Sequence, residues 1–366
     1  MPIDCTEAIK SMIRNLLTER LGINYPIIQA PMASATTPAM VIAASEAGAL
    51  GSLGAAYMGP DEIRSAIREI RQSTKYPFQV NLFVPQKRYS LTDDEVDRAT
   101  TPLRSIREEL GLADRNSVPE YKDRFSDQLQ VLLDEEVSII GFHFGLPDDD
   151  DLNKVKTAGA LLIGCATKVS DATALEKAGV DFIIAQGFEA GGHQGTFRSE
   201  DEPSMIGLMA LVPQVVDAVS IPVIAAGGLM DGRGLAAVLA LGASAGQLGT
   251  VFLSSPESKA HELHKRLLLD GARDGTRVTR AFSGRPARGL INRMMNELDV
   301  IPNGILPFPY QHSLTTEIRA AAGTKNRPEF LSMWAGQGAN MSRNLSTAEI
   351  VNSLAVELEQ VLKRKN

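Results

Sequence analysis

Two cysteines, one tryptophan and five histidines are all that 366 residues provide of these types. Cys5 and Cys165 alone cannot build a disulfide framework or a multi-cysteine zinc site. Cys165 lies in an apolar run and reads as a small core residue, and a reducing compartment suits both thiols. Positive charge is also short. Lys and Arg total 37 against 44 Asp and Glu, a formal net charge of −7. An acidic chain lacks the basic footprint of a nucleic-acid partner. No run of about 18 apolar residues is present, so no membrane span is expected. Met1 to Arg20 has no signal-peptide apolar core. The expected location is the cytoplasm, with an organelle-targeting reading of that amphipathic segment left open.

What remains is an ordinary globular composition, 44% hydrophobic and 22% charged, with 31 glycines. Short apolar runs alternate with helical patterns. Strands are predicted at Ile27–Met32, Ala49–Leu53, Phe78–Phe83, Ile139–Phe144, Leu161–Cys165, Phe182–Gln186, Pro222–Ala226 and Ala245–Phe252. Helices are predicted at Pro38–Ala47, Pro60–Gln72, Asp171–Ala178, Met205–Val219 and Asp231–Leu241. In Pro60–Gln72, Pro60 starts the helix, Asp61 and Glu62 fill its first turn, and Ile63, Ile67 and Ile70 share a face. Eight strands with helices between them predict an α/β fold, a TIM (β/α)8 barrel. The barrel should span 21–254 with an insertion at 85–137, after an N-terminal helix within 1–20. A C-terminal helical extension, 255–366, should pack on it. Insertion and tail together should form a smaller helical subdomain over one barrel end.

In such a barrel the chemistry gathers where strands end. Those ends supply Met32, Asn81, Lys168, Gln186 and the run Gln247-Leu248-Gly249-Thr250. Gly227-Gly228 precedes a helix that Asp231 can cap, and Gly249-Thr250 adds bare N–H groups and a hydroxyl. Together they suit a phosphate. Asn81 and Gln186 carry donors and acceptors for the edge of a flat heterocycle. Lys168 would set positive charge beside an electron-rich ring. His193 lies in a Gly-rich loop with Glu189, Gly191, Gly192 and Gly195, where an imidazole can act as general base or donor. His143 reads as a core or pocket residue. His261 and His264 lack the H-E-x-x-H zinc spacing. His312 has no acid or base near it in sequence. Asp148–Asp151 reads as a loop and helix start, so no metal site is expected. Gly242–Gly246 matches G-x-S-x-G but runs from helix to strand, the reverse of a nucleophile elbow. Trp334 and Gln337 are candidate pocket walls, with helix packing as the alternative.

The segments PIIQAPMA (26–33), VNLFVP (80–85), FHFGLP (142–147), AQGFEAGGHQG (185–195), PVIAAGG (222–228) and QLGT (247–250) resemble the nitronate monooxygenases. The flavin enoyl-reductases of fatty-acid synthesis carry a loop similar to AQGFEAGGHQG. The resemblance implies noncovalent FMN contacted by Asn81, Gln186, Gly191, Gly228 and Gln247 to Thr250. Met32 and Lys168 would lie beside it, and His193 would be the active-site histidine. It implies oxidation of alkyl nitronates such as propionate 3-nitronate by O2, giving a carbonyl compound and nitrite without NAD(P)H. An FMN-dependent NAD(P)H reductase of enoyl thioesters or quinones is the alternative. The expected partners are a small nitronate or nitroalkane and O2, with homo-oligomerisation left open.

Overall fold

Eight short strands, buried on both faces, form the centre of the computed structural model, which describes residues 12–198, 202–273 and 275–363. They are β1 (Ile27–Gln29), β2 (Gly51–Gly54), β3 (Phe78–Phe83), β4 (Ile139–His143), β5 (Leu161–Ala166), β6 (Phe182–Gln186), β8 (Val223–Ala226) and β9 (Ala245–Leu248), with a two-residue β7 (Gly192–His193) outside the ring. All eight pair in parallel in the order β1-β9-β8-β6-β5-β4-β3-β2. The N–H of Gln29 donates to Leu50 O at 2.9 Å, and that of Leu50 to Ile27 O at 3.0 Å. These bonds join the two ends of the sheet and close the barrel.

The expected strands are all present; most ends agree within one or two residues, and two are revised by more. β1 stops at Gln29 rather than Met32, because Pro31 has no N–H to continue the ladder. β9 stops at Leu248, and Thr250–Leu253 is a short helix instead of strand. A continuously apolar run is buried equally well in either state, so its pattern could not separate them. The helix Pro60–Ser73 buries Ile63, Ile67 and Ile70 as its spacing predicts. Asp231 caps Gly232–Ala240, accepting from the N–H groups of Arg233 at 2.9 Å and Gly234 at 3.2 Å. Asp148 likewise caps Asp149–Thr157.

The other barrel end is plugged from the N-terminal side. Asn15 caps the helix Leu16–Leu21 and its Nδ2 donates to Ser244 O at 2.8 Å. Leu17, Leu21 and Ile23 pack against Ile28, Ile163, Phe182 and Ile224 inside the barrel. Most of the helix expected over 1–20 lies outside the described residues.

Two expected boundaries shift. Phe125–Asp134 belongs to the barrel shell, because Leu129 and Leu132 join its core. The insertion proper is therefore the stretch before Phe125. The last helix, Thr347–Leu362, also returns to the shell and buries Ile350, Val351, Leu354 and Leu358 there. It seats against Gly232–Ala240, where a Cβ at Gly232 would lie 2.3 Å from Leu358 N. Since Thr250–Leu253 is one turn long, this distant helix completes the ring.

Insertion and tail do share a second core. Ala99, Leu103, Ile106 and Leu110 pack with Phe282, Met294, Leu314, Ile318 and Phe330. That body is not purely helical. β10 (Thr276–Thr279) and β11 (Ala287–Leu290) form an antiparallel sheet with β7. Among the described residues no helix is long and apolar enough to cross a membrane.

Candidate active site

A cavity of about 380 Å³ opens at the carboxyl ends of the strands, between the barrel and the C-terminal segment. It brings together Met32, Asn81, Gln186, Gly191, His193, Gly228, Gln247, Gly249 and Thr250. Two residues expected with them lie elsewhere. Leu248 alternates with Gln247 along β9, so its side chain points into the barrel–helix core. Lys168 stands just before the helix Val169–Lys177, half exposed, with Nζ 3.8 Å from Asp171. Trp334 lines the cavity, whereas Gln337 ties its N–H to Glu189 O at 2.9 Å.

The His193 loop is held from three sides. Gln186 clamps it, donating from Nε2 to His193 O at 3.1 Å and accepting the Gly195 N–H at 2.7 Å. Its amide is thus committed to the loop as well as facing the cavity. His143 Nε2 lies 3.1 Å from the same carbonyl, so it carries the proton there. From the tail, β11 pairs with β7 and places His193 opposite Ala287. Close approaches explain the glycines. A Cβ at Gly195 would sit 2.5 Å from Cys165 Sγ, and one at Gly191 would sit 2.5 Å from the backbone of Ala335 and Gly336. Glu189 is not free for catalysis, since both carboxylate oxygens accept the Leu208 N–H at 2.8 and 3.0 Å.

The His193 ring sits among Phe83, Phe144 and Trp334, with centroids 5.8, 5.7 and 5.5 Å away. Its Nε2 shares a 2.8 Å hydrogen bond with Ser283 Oγ. Burial drives its pKa well below the ordinary imidazole value, and His143, Arg285, His312 and Arg319 push the same way. Arg285 is fully buried, 3.8 Å above the Phe144 ring. It bonds Gln86 Oε1 at 2.6 Å and Thr196 Oγ1 at 2.9 Å, so it joins insertion, loop and tail beneath the histidine.

All five histidines of the chain line this one cavity. Burial lowers His143 and His264 to about 4 and His312 to about 3. Among the described residues no Asp or Glu lines it, while Lys259 and Arg319 do. Among the described residues, an acidic protein thus lines this site with cations and histidines rather than carboxylates. Sequence reasoning passed over Tyr57, Ser283, His312 and Arg319. Three of these come from the tail, and no local spacing tied them to the barrel. Histidine scarcity was the one available signal.

Several polar groups in the cavity lack partners. Gln247 Oε1 is buried without a hydrogen bond, as is His264 Nε2. The Asn81 side chain is 6% exposed and bonds no described residue. Gly227 and Gly228 adopt φ of 132° and 68°, which L side chains disfavour. Thr250 Oγ1 accepts the Gly336 N–H at 2.9 Å. Buried amides without partners carry a desolvation cost that a polar ligand relieves. This set fits a flat heterocycle with a phosphate tail.

The family model for nitronate monooxygenase matches residues 14–357. A Staphylococcus aureus (strain Newman) protein named "Probable nitronate monooxygenase" is 39% identical over 353 residues, 96% of this chain and 99% of that one. The solved structure of a nitroalkane oxidase from Streptomyces ansochromogenes is 41% identical, with a TM-score of 0.87 over 94% of this chain and 98% of that one. The structure of FabK from Thermotoga maritima is 31% identical, with a TM-score of 0.75 over 96% and 98%. With a family match over nearly its whole length and a half-buried histidine at the mouth of a TIM barrel, the chain belongs to the nitronate monooxygenase family of flavin-dependent oxidoreductases.

Proposed function

We propose that this enzyme uses FMN and O2 to oxidise alkyl nitronates, such as propionate 3-nitronate, to a carbonyl compound and nitrite, without NAD(P)H. The observation that carries the reading is a cavity lined by Lys259, Arg319 and all five histidines, and by no carboxylate among the described residues, inside a protein of net charge −7. A nitronate is an anion, and such a cavity favours anions.

Asn81 and Gln247 would meet the ring system, with Met32 beside it. Gly191, Gly228, Gly249 and Thr250 would take the phosphate with N–H and O–H groups. Bound FMN supplies reversible electron acceptance, which no side chain here provides. The chain's own residues bind, orient and exclude water. Phe83, Phe144 and Trp334 form an aromatic wall around His193. The depressed pKa keeps its imidazole neutral near pH 7. A base that weak removes a C–H proton from a neutral nitroalkane poorly. His193 therefore serves a preformed nitronate best, orienting it while Ser283 fixes the ring.

The test follows nitrite release and oxygen uptake after adding propionate 3-nitronate to flavin-loaded enzyme without NAD(P)H. Turnover is expected, and its absence refutes the proposal. His193→Asn should slow turnover about 10²- to 10⁴-fold with flavin still bound. Rapid anaerobic bleaching of the flavin by NADH or NADPH would favour the reductase alternative instead.

A further inference from the structure

We propose that Tyr57, His312 and Arg319 form a subsite for a carboxylate carried by the substrate, separate from the nitronate group that meets His193. The proposal rests on the nitronate reading above. All three residues line the cavity. Arg319 projects from the helix Tyr310–Thr324 of the tail. Among the described residues no carboxylate pairs with it. Its Nε donates to Thr315 Oγ1 at 3.3 Å, and its Nη2 to His312 O and Thr316 Oγ1, both at 3.1 Å. Nη1 bonds no described group. Arg319 is half-buried in the cavity wall; a guanidinium withdrawn from solvent is normally paired, so one facing a cavity without a carboxylate points to an anionic ligand.

The neighbours add donors. Arg319 Nη2 also lies 3.3 Å from His312 Nδ1. A guanidinium only donates, so Nδ1 accepts and the remaining His312 proton resides on Nε2. The His312 ring stacks on Tyr57 at 4.6 Å and 17°. The Tyr57 hydroxyl has no partner among the described residues, and burial holds it protonated. Arginine Nη1–H, histidine Nε2–H and tyrosine O–H are thus donors with no acceptor among the described residues. A carboxylate offers two oxygens with about four lone pairs.

Position separates this subsite from the reacting end. Phe83 neighbours both, its ring centroid 5.8 Å from His193 and 5.5 Å from Tyr57. A substrate with a short carbon chain between nitronate and carboxylate spans one such ring. Tyr57 comes from the loop after β2, whereas His312 and Arg319 come from the tail. The tail thereby selects the substrate that the barrel oxidises.

The test compares kcat/KM for propionate 3-nitronate and for propyl 2-nitronate, which has no carboxylate, on the flavin-loaded enzyme. In Arg319→Met the ratio of the two should fall about 10- to 100-fold, carried by KM. Arg319→Lys should recover part of it. Tyr57→Phe, which removes only one oxygen, should lower the ratio about threefold to tenfold. Independently of turnover, butanoate titrated against the loaded enzyme and followed by flavin absorbance should bind Arg319→Met about 10-fold or more weaker. An unchanged ratio, equal loss on both substrates, or unchanged butanoate binding overturns the proposal. Wild-type enzyme that binds butanoate through Arg319 yet turns over neither nitronate refutes the proposed activity and leaves the subsite standing.

Discussion

Replacing His264 by Leu should make the enzyme more resistant to acid. His264 lies on the helix Glu262–Leu269, is 6% exposed, and leaves Nε2 without a partner. Burial, then the neighbouring His261, lowers it to about 4. The unfolded chain holds the same group near its ordinary value of about 6.5. At pH 7 both states are neutral and the site is silent. As pH falls through about 6.5, the unfolded chain takes a proton that the folded one refuses. Stability is therefore lost between about pH 6.5 and 4, and the loss levels off below that. The gap of roughly 2.5 pH units corresponds to about 3 kcal/mol in full, of which about 2 kcal/mol falls between pH 7 and 5. Leu cannot take the proton, and it removes an unpaired buried nitrogen. Urea unfolding of the flavin-free enzyme at pH 7 and pH 5 reads this directly. Wild type should lose about 2 kcal/mol more than His264→Leu over that interval. Equal losses would refute the reasoning, because His264 would then titrate alike in both states.

Other outcomes follow from the same geometry. Ser283→Ala removes the 2.8 Å partner of His193 and should lower kcat/KM for a nitronate about threefold to tenfold, with Ser283→Thr closer to wild type. The pH–rate profile should be flat from about pH 8 down to 6 and fall only at more acid pH, because His193 is held well below 6.5; an acid limb centred at 6.5 would contradict this. Gly191→Ala drives a Cβ into the backbone of Ala335 and Gly336 and should weaken flavin retention at least about tenfold, measured by ultrafiltration. Leu354→Ala empties the joint between the last helix and the barrel and should cost about 2–5 kcal/mol in urea unfolding.

How much was legible beforehand differed along the chain. The barrel was readable because each of its strands is a local apolar run beside a local helical pattern. Segments as short as Phe78–Phe83 and Phe182–Gln186 appear with the boundaries their residues predict. Asp231 as a cap and Ile63, Ile67 and Ile70 as a buried face are decided within one or two helical turns. His193 stood out because glycine crowds around it within a few positions. Lys168 did not follow the pattern. Proximity to a strand end places a residue near the rim, but the backbone there turned its side chain toward Asp171.

The sequence by itself determined the periodic elements, their order and the barrel-end loops, because strand, helix and turn preferences act over a few residues. Only the tertiary structure decided which remote side chains complete the site. Ser283 meets His193 across 90 positions, and Arg319 and His312 meet Tyr57 across more than 250. It also decided that Thr347–Leu362 closes the helical ring in place of the one-turn helix after β9. Such pairings follow from burying apolar faces against whichever surface remains open, a condition set by the whole chain at once. The scarcity of histidine acquires its meaning there, with all five gathered in one cavity by contacts that no local spacing records.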